Sequence, residues 1–214
     1  MNDFKATMQS YFKRLQFLVI KLIVKPSDFF RAMPKDGGFP EPLIFVVLAT
    51  LLGVVVNALI MFVSRRAGFQ DLGMVAIWLI IVPLIAVILS FFFAGIFYAI
   101  WAFMGSKEDF ESSYRCVAYV QIMFPITILL SIVPYLGLLA IGWWLYLMVT
   151  ATKEVHKLPV MPALVAFGVI AALSGLVYYN SVSSTIKAKE HLEEYTKELQ
   201  KTPGKGDMGN SGNR

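Results

Sequence analysis

The uncharged run CVAYVQIMFPITILLSIVPYLGLLAIGWWLYLMVTAT, from Cys116 to Thr152, decides the fold of this chain. Phe110-Glu111-Ser112-Ser113-Tyr114-Arg115 leads into it, and Lys153-Glu154-Val155-His156-Lys157 closes it. As a single helix the run would be roughly 55 Å long, at about 1.5 Å per residue. A bilayer core is only about 30 Å thick. The run therefore folds back once, and the natural place is Val133-Pro134-Tyr135-Leu136-Gly137. Pro134 lacks an N–H and disfavours helix at Val133, and Gly137 tolerates turn dihedrals. The expectation is a transmembrane hairpin with spans over residues 115–132 and 136–152, both charged ends emerging on the same side.

The rest of the composition agrees. The 214 residues are 57% hydrophobic and 15% charged, with mean hydropathy +0.67. Soluble domains run near 45–50% apolar and about 25% charged. The expected class is all-α, a polytopic membrane helix bundle of about five transmembrane helices with an N-terminal amphipathic interfacial helix. The single cysteine, Cys116, excludes an internal disulfide. The net charge of +5 sits largely in the two tails. It reads as topology and attraction to anionic lipid, and no dense basic run points to nucleic acid.

Outward from the hairpin, residues 1–25 carry Phe4, Met8, Tyr11, Phe12, Leu15, Leu18, Val19, Leu22 and Ile23 at three- and four-residue steps, with five basic residues between them. Too short and charged to span, this segment is expected either in the membrane interface or on the protein's own cytosolic face. Residues 26–180 form the membrane domain, entered through the breaker-rich arm from Pro26 to Pro42. Its spans are expected at about 43–63, 76–104, 115–132, 136–152 and 162–179. The second is read as one tilted helix kinked at Pro83. Ser106 is expected to cap the helix that follows Gly105. Trp101 and Tyr98 suit the headgroup boundary. Gly168, Ala172 and Gly175 give the last span a small face for close helix approach. Residues 181–201 read as a polar helical tail and residues 202–214 as disordered.

No catalytic set is visible. His156 and His191 have no metal-ligand spacing, and there is no Gly-rich phosphate loop and no carboxylate inside a span. The expectation is a non-enzyme without cofactor or metal. Asn57 and Gln121 are the strong intramembrane polar residues. Such amides serve as interhelical glue or line a path. With Ser90, Thr127, Thr150 and Thr152 they frame the alternative function, a small-solute or lipid conduit. Lys plus Arg count 11 on the N-terminal side and 8 opposite for five spans, against 13 and 6 for an even number. Charge thus favours four or six, while span length favours five.

Gly105, Phe110, Tyr114-Arg115, Ala118-Tyr119, Pro125, Pro134-Tyr135-Leu136-Gly137, Trp144-Leu145-Tyr146-Leu147 and Lys153-Glu154-Val155-His156 follow one another in order, with Lys25-Pro26-Ser27-Asp28-Phe29-Phe30 upstream. This pattern, from about Pro26 to Tyr179, resembles the Yip-domain (Ypt-interacting protein) family in its prokaryotic form. The resemblance implies five spans, a cytosolic N-terminus, no catalysis and residence in a prokaryotic inner (plasma) membrane. Eukaryotic members bind Rab-type GTPases. This chain lacks Asp-Leu-Tyr-Gly-Pro before the first span, which argues against carrying small-GTPase binding over. The expected function is an adaptor or organiser, able to self-associate, that binds proteins or lipid headgroups at its cytosolic face. The surface is expected around Glu111, Tyr114, Arg115, Tyr119, Lys153, Glu154 and His156, with an Arg115–Glu154 pair across the hairpin mouth.

Overall fold

A computed structural model describes residues 16–64 and 72–201. Residues 16–24 are helical (α1). They are followed by α2 (Pro26–Arg31), α3 (Pro40–Val63), α4 (Leu72–Phe103), α5 (Phe110–Val120), α6 (Met123–Leu130), α7 (Gly137–Glu154) and α8 (Val160–Lys201). The described residues are thus all-α, as expected. Among the described residues, four helical stretches are long and apolar enough to cross a membrane: Pro40–Val63, Gly73–Phe103, Phe110–Leu130 and Val160–Glu198. Helix α3 packs on α4, α5 and α6, and α7 packs on α2, α5, α6 and α8. The shared core holds Trp101, Tyr114, Tyr119, Leu147, Met148 and Phe167.

Local chemistry sets the boundaries. Prolines open α2 and α3, where the missing N–H is no loss because the first turn has no acceptor for it. Helix α4 runs unbroken through Pro83. It ends at Gly105, whose φ of +96° permits the closing bonds Gly105 N→Ala102 O and Ser106 N→Trp101 O. The cap of the next helix falls three residues beyond the expected Ser106. Asp109 accepts from the Ser112 N–H at 2.8 Å, while Ser106 Oγ takes the Glu108 N–H.

The expected span over residues 115–132 is two helices, broken at Gln121 and Ile122. Pro125 explains the place: a proline cannot donate, and its ring crowds the carbonyl four residues back, that of Gln121. The hairpin turn lies where expected, but Tyr135, not Gly137, takes the left-handed conformation, at φ +66°. Gly137 begins α7, and a Cβ there would collide with the Tyr178 ring. Helix α7 therefore runs beside its neighbours from Tyr178 of α8 at one end to Arg31 of α2 at the other. The last span and the polar tail, separate in expectation, are one helix of 42 residues. Nothing between Tyr179 and Ser183 breaks it, since Asn180-Ser181-Val182 contains neither Gly nor Pro.

In α1, Leu22 is fully buried and Leu18 and Val19 pack on the core, while Phe17, Ile20 and Val24 face outward. The described part of the N-terminal helix thus has two apolar faces, and one of them docks on the protein. Its first half lies outside the described residues, as does the tail beyond Lys201.

Candidate functional site

Three segments distant in sequence meet at one end of the bundle: the arm from α2 to the start of α3, the entry to α5, and the end of α7 with its loop to α8. Two ion pairs tie the arm down. Arg31 grips Glu154 with both forks, Nε to Oε2 at 3.1 Å and Nη2 to Oε1 at 3.2 Å. Lys35 Nζ pairs with Glu108 and also reaches the Val155 carbonyl at 3.4 Å. Glu154 is 6% exposed. The Arg31 hydrogen bonds hold its carboxyl below the usual carboxylate range.

Beneath the arm, Arg115 is 1% exposed. Its Nε and Nη2 bond Glu111 Oε1 at 3.2 and 3.1 Å, and Nη2 also reaches the Gly38 carbonyl at 2.8 Å. Glu111 Oε1 in turn accepts the Gly38 N–H at 2.6 Å. One backbone unit of the arm therefore supplies both a donor and an acceptor to a buried ion pair. Two consecutive left-handed glycines, Gly37 at φ +123° and Gly38 at +77°, make that turn possible. A Cβ on Gly37 would also stand 3.1 Å from Arg115 Nη2. Arg115 Nη1 has no partner among the described residues.

The third layer is aromatic. His156 stacks on Trp101, with ring centroids 4.0 Å apart, and its Nδ1 lies 2.8 Å from Ser106 Oγ. Trp101 Nε1 donates to Thr152 Oγ1 at 2.8 Å. His156 Nε2 has no partner among the described residues. Burial, reinforced by the nearby Lys35 charge, pushes the His156 pKa down to about 4. Tyr114 is stacked on Phe91 and edge-on to Phe39 of the arm, and its hydroxyl lies 3.2 Å from Ser90 Oγ. Tyr119 sits edge-on to Phe29 of the arm and to Phe45.

All seven expected surface residues gather at this end, but at different depths. Tyr114, Arg115, Tyr119, Glu154 and His156 are buried and hold the platform together; Glu111 is half-buried and Lys153 exposed. The expected Arg115–Glu154 pair is not formed. Each has another partner: Glu111 lies one helical turn before Arg115, and α2 carries Arg31 onto Glu154. Trp101, expected at the headgroup boundary, is fully buried in this layer. The Gly37-Gly38 pair was not among the expected site residues; a double glycine in a proline-rich arm was the available signal.

The intramembrane polar residues do not line one common path, although Gln121 and Thr127 share the lining of one cavity. Asn57 faces outward, and its amide reaches Met61 Sδ of its own helix at 3.9 Å. Gln121 is half-buried at the α5–α6 break. Thr127, Thr150 and Thr152 each donate to the carbonyl four residues back, and Ser90 to that of Val87. Among the described residues no three His, Cys, Asp or Glu side chains are placed to hold a metal ion. The outer surface of the platform carries exposed Lys25, Arg31, Lys107, Lys153 and Lys157 against exposed Asp28, Asp36 and Asp109. Arg31 is already paired with Glu154, so the face is mixed in charge, with Lys25, Lys107, Lys153 and Lys157 as its outward cations.

The family model described as Yip1 domain matches residues 20–179. No curated protein and no solved structure matches the chain.

Proposed function

From the premise that the chain belongs to the Yip1 domain family, whose members are membrane proteins, we propose that it is a non-enzymatic adaptor or organiser, of the family's prokaryotic branch. Its working surface is the platform built by the arm, the α5 entry and the α7 end. In this reading the N-terminus and the platform face the cytoplasm, across an inner (plasma) membrane. The observation that carries it is the clamp of Arg31 on Glu154, 123 residues apart in sequence. With the Lys35–Glu108 pair it fixes a face at the membrane edge that presents Lys25, Lys107, Lys153 and Lys157 outward. Such a face attracts anionic headgroups or an acidic protein segment. The polar residues along the spans support an adaptor more than a conduit, because their hydroxyls are taken up by carbonyls of their own helices and, at Ser90 and Thr152, also by neighbouring aromatic side chains. Asn57, an outward amide in an apolar span, supports self-association, since a second copy can offer it a hydrogen bond.

The test is crosslinked co-purification from membranes, with charge reversals at the clamp. Arg31→Glu and Glu154→Arg should each lose most partner capture, and the double reversal should recover a large part of it. Singles that capture like the parent would remove the clamp from the function. A crosslinked species of twice the chain mass should weaken in Asn57→Leu; if it persists unchanged, self-association does not run through α3.

A further inference from the structure

A half-open cavity of about 380 Å³ lies between the helices of the bundle, at the depth of the hairpin arms. Apart from Gln121, Thr127 and Ser174, every side chain that lines it is apolar, and Phe97, Val120, Met123 and Met148 of its wall belong to the core. Helices α4, α5, α6, α7 and α8 all contribute to the wall. Its size falls in the roughly 300–1,000 Å³ range of ligand pockets. Left empty, such a pocket forfeits dispersion contacts along its lining. Only Gln121, Thr127 and Ser174 offer polar groups to a water, so most of its volume suits an apolar occupant.

The cavity is not sealed. Ile141 and Ser174 line both it and a shallower groove that continues past Leu173 and Val177 to Tyr178 and Ser181. That groove lies at the hairpin-turn end of α7, opposite the platform, where Tyr178 fits over Gly137 and Tyr135 meets Tyr179. The tract is therefore mostly apolar along its length, and it reaches core residues at its deep end. At its mouth it is lined by hydroxyls beside interfacial tyrosines. That is the polarity profile of a single membrane lipid.

We propose that this tract binds one phospholipid, its acyl chain entering between α7 and α8 past Ser174 to fill the cavity and its polar end resting near Tyr178 and Ser181. The occupant is a lipid chain because the tract opens sideways on helices whose outer surfaces are themselves apolar. Leu164, Val169, Leu173 and Val177 of α8 face outward. Acyl chains are the apolar species at that depth. The proposal stands independently of the adaptor reading, because no side chain that lines the tract belongs to the platform's ion pairs or its aromatic layer.

The test uses the full chain in phosphatidylcholine–phosphatidylglycerol vesicles containing a phospholipid with a diazirine near the end of one acyl chain. After irradiation, peptide mapping locates the adducts. Adducts on Met148, Met123 or Phe97 are expected, and Ser174→Trp at the mouth should reduce them at least fivefold. Val177→Trp in the outer groove, where the residue is 70% exposed, gives the same readout on a surface position should the first variant fold poorly. Adducts confined to outward residues such as Phe92 and Leu164 would overturn the proposal. So would adducts in the cavity that neither tryptophan reduces.

Discussion

His156 shows how a single side chain reports on the platform. It is buried against Trp101 and Ser106, and its pKa is pushed down to about 4 from the ordinary value of 6.5. The folded state therefore keeps the imidazole neutral while the unfolded chain takes up a proton below about pH 6.5. Stability should be fully present above that pH, fall as pH drops from about 6.5 to 4, and level off below. The loss is on the order of 3–4 kcal/mol, because each tenfold difference in proton affinity between the two states is worth about 1.4 kcal/mol. Thermal unfolding in detergent across this range measures it. His156→Gln, which keeps a hydrogen-bonding partner for Ser106, should flatten the slope. An unchanged slope in that variant would place the effect elsewhere. Glu154 acts in a lower window: its depressed pKa adds stability above the unfolded value of about 4.3, lost as pH falls through the folded one. Neither behaviour was legible from Lys-Glu-Val-His as letters, because burial by Trp101 and pairing with Arg31 come from other segments.

At the scale of elements, the close approach that matters is between α3 and α6. A Cβ on Gly53 would collide with the Phe124 ring. Gly53→Ala should destabilise the bundle by about 1–3 kcal/mol, the usual cost of overpacking, and Phe124→Leu in the same chain should recover part of it. A double-mutant cycle on thermal unfolding decides; full additivity would mean that the ring simply moves aside. The expected small face of α8 is used less: a Cβ on Gly168 would meet nothing, and one on Gly175 would only touch Leu138 at 3.8 Å. Small residues permit close packing on any helix that carries them, and the sequence does not say which faces meet. The break between α5 and α6 was readable from Pro125, and the capping Asp109 from its polar neighbourhood. The uncharged run masked the first, and Ser106 competed for the second.

For the whole molecule, the start of α3, the end of α4, the start of α5 and the end of α7 share one end of the bundle. Helix α7 spans the depth between the Tyr178 contact and the Arg31 clamp. With the four apolar stretches this makes five crossings the proposed topology. Reporter fusions after Gly105 and after Lys201 should then report opposite sides of the membrane, and the same side would return the count to four or six. The sequence by itself determined the class and the fold-back. These depend on how many uncharged residues lie in a row and where proline interrupts them, and both are local properties of the chain. It also determined which segments carry the polar residues of the platform. Only the tertiary structure decided their partners. Arg115 bonds its own helix and a glycine of the arm, while Arg31 reaches across 123 residues to Glu154. Ion pairing, burial and cavities depend on which helix faces meet. An almost uniformly apolar sequence gives little amphipathic pattern from which to read those faces.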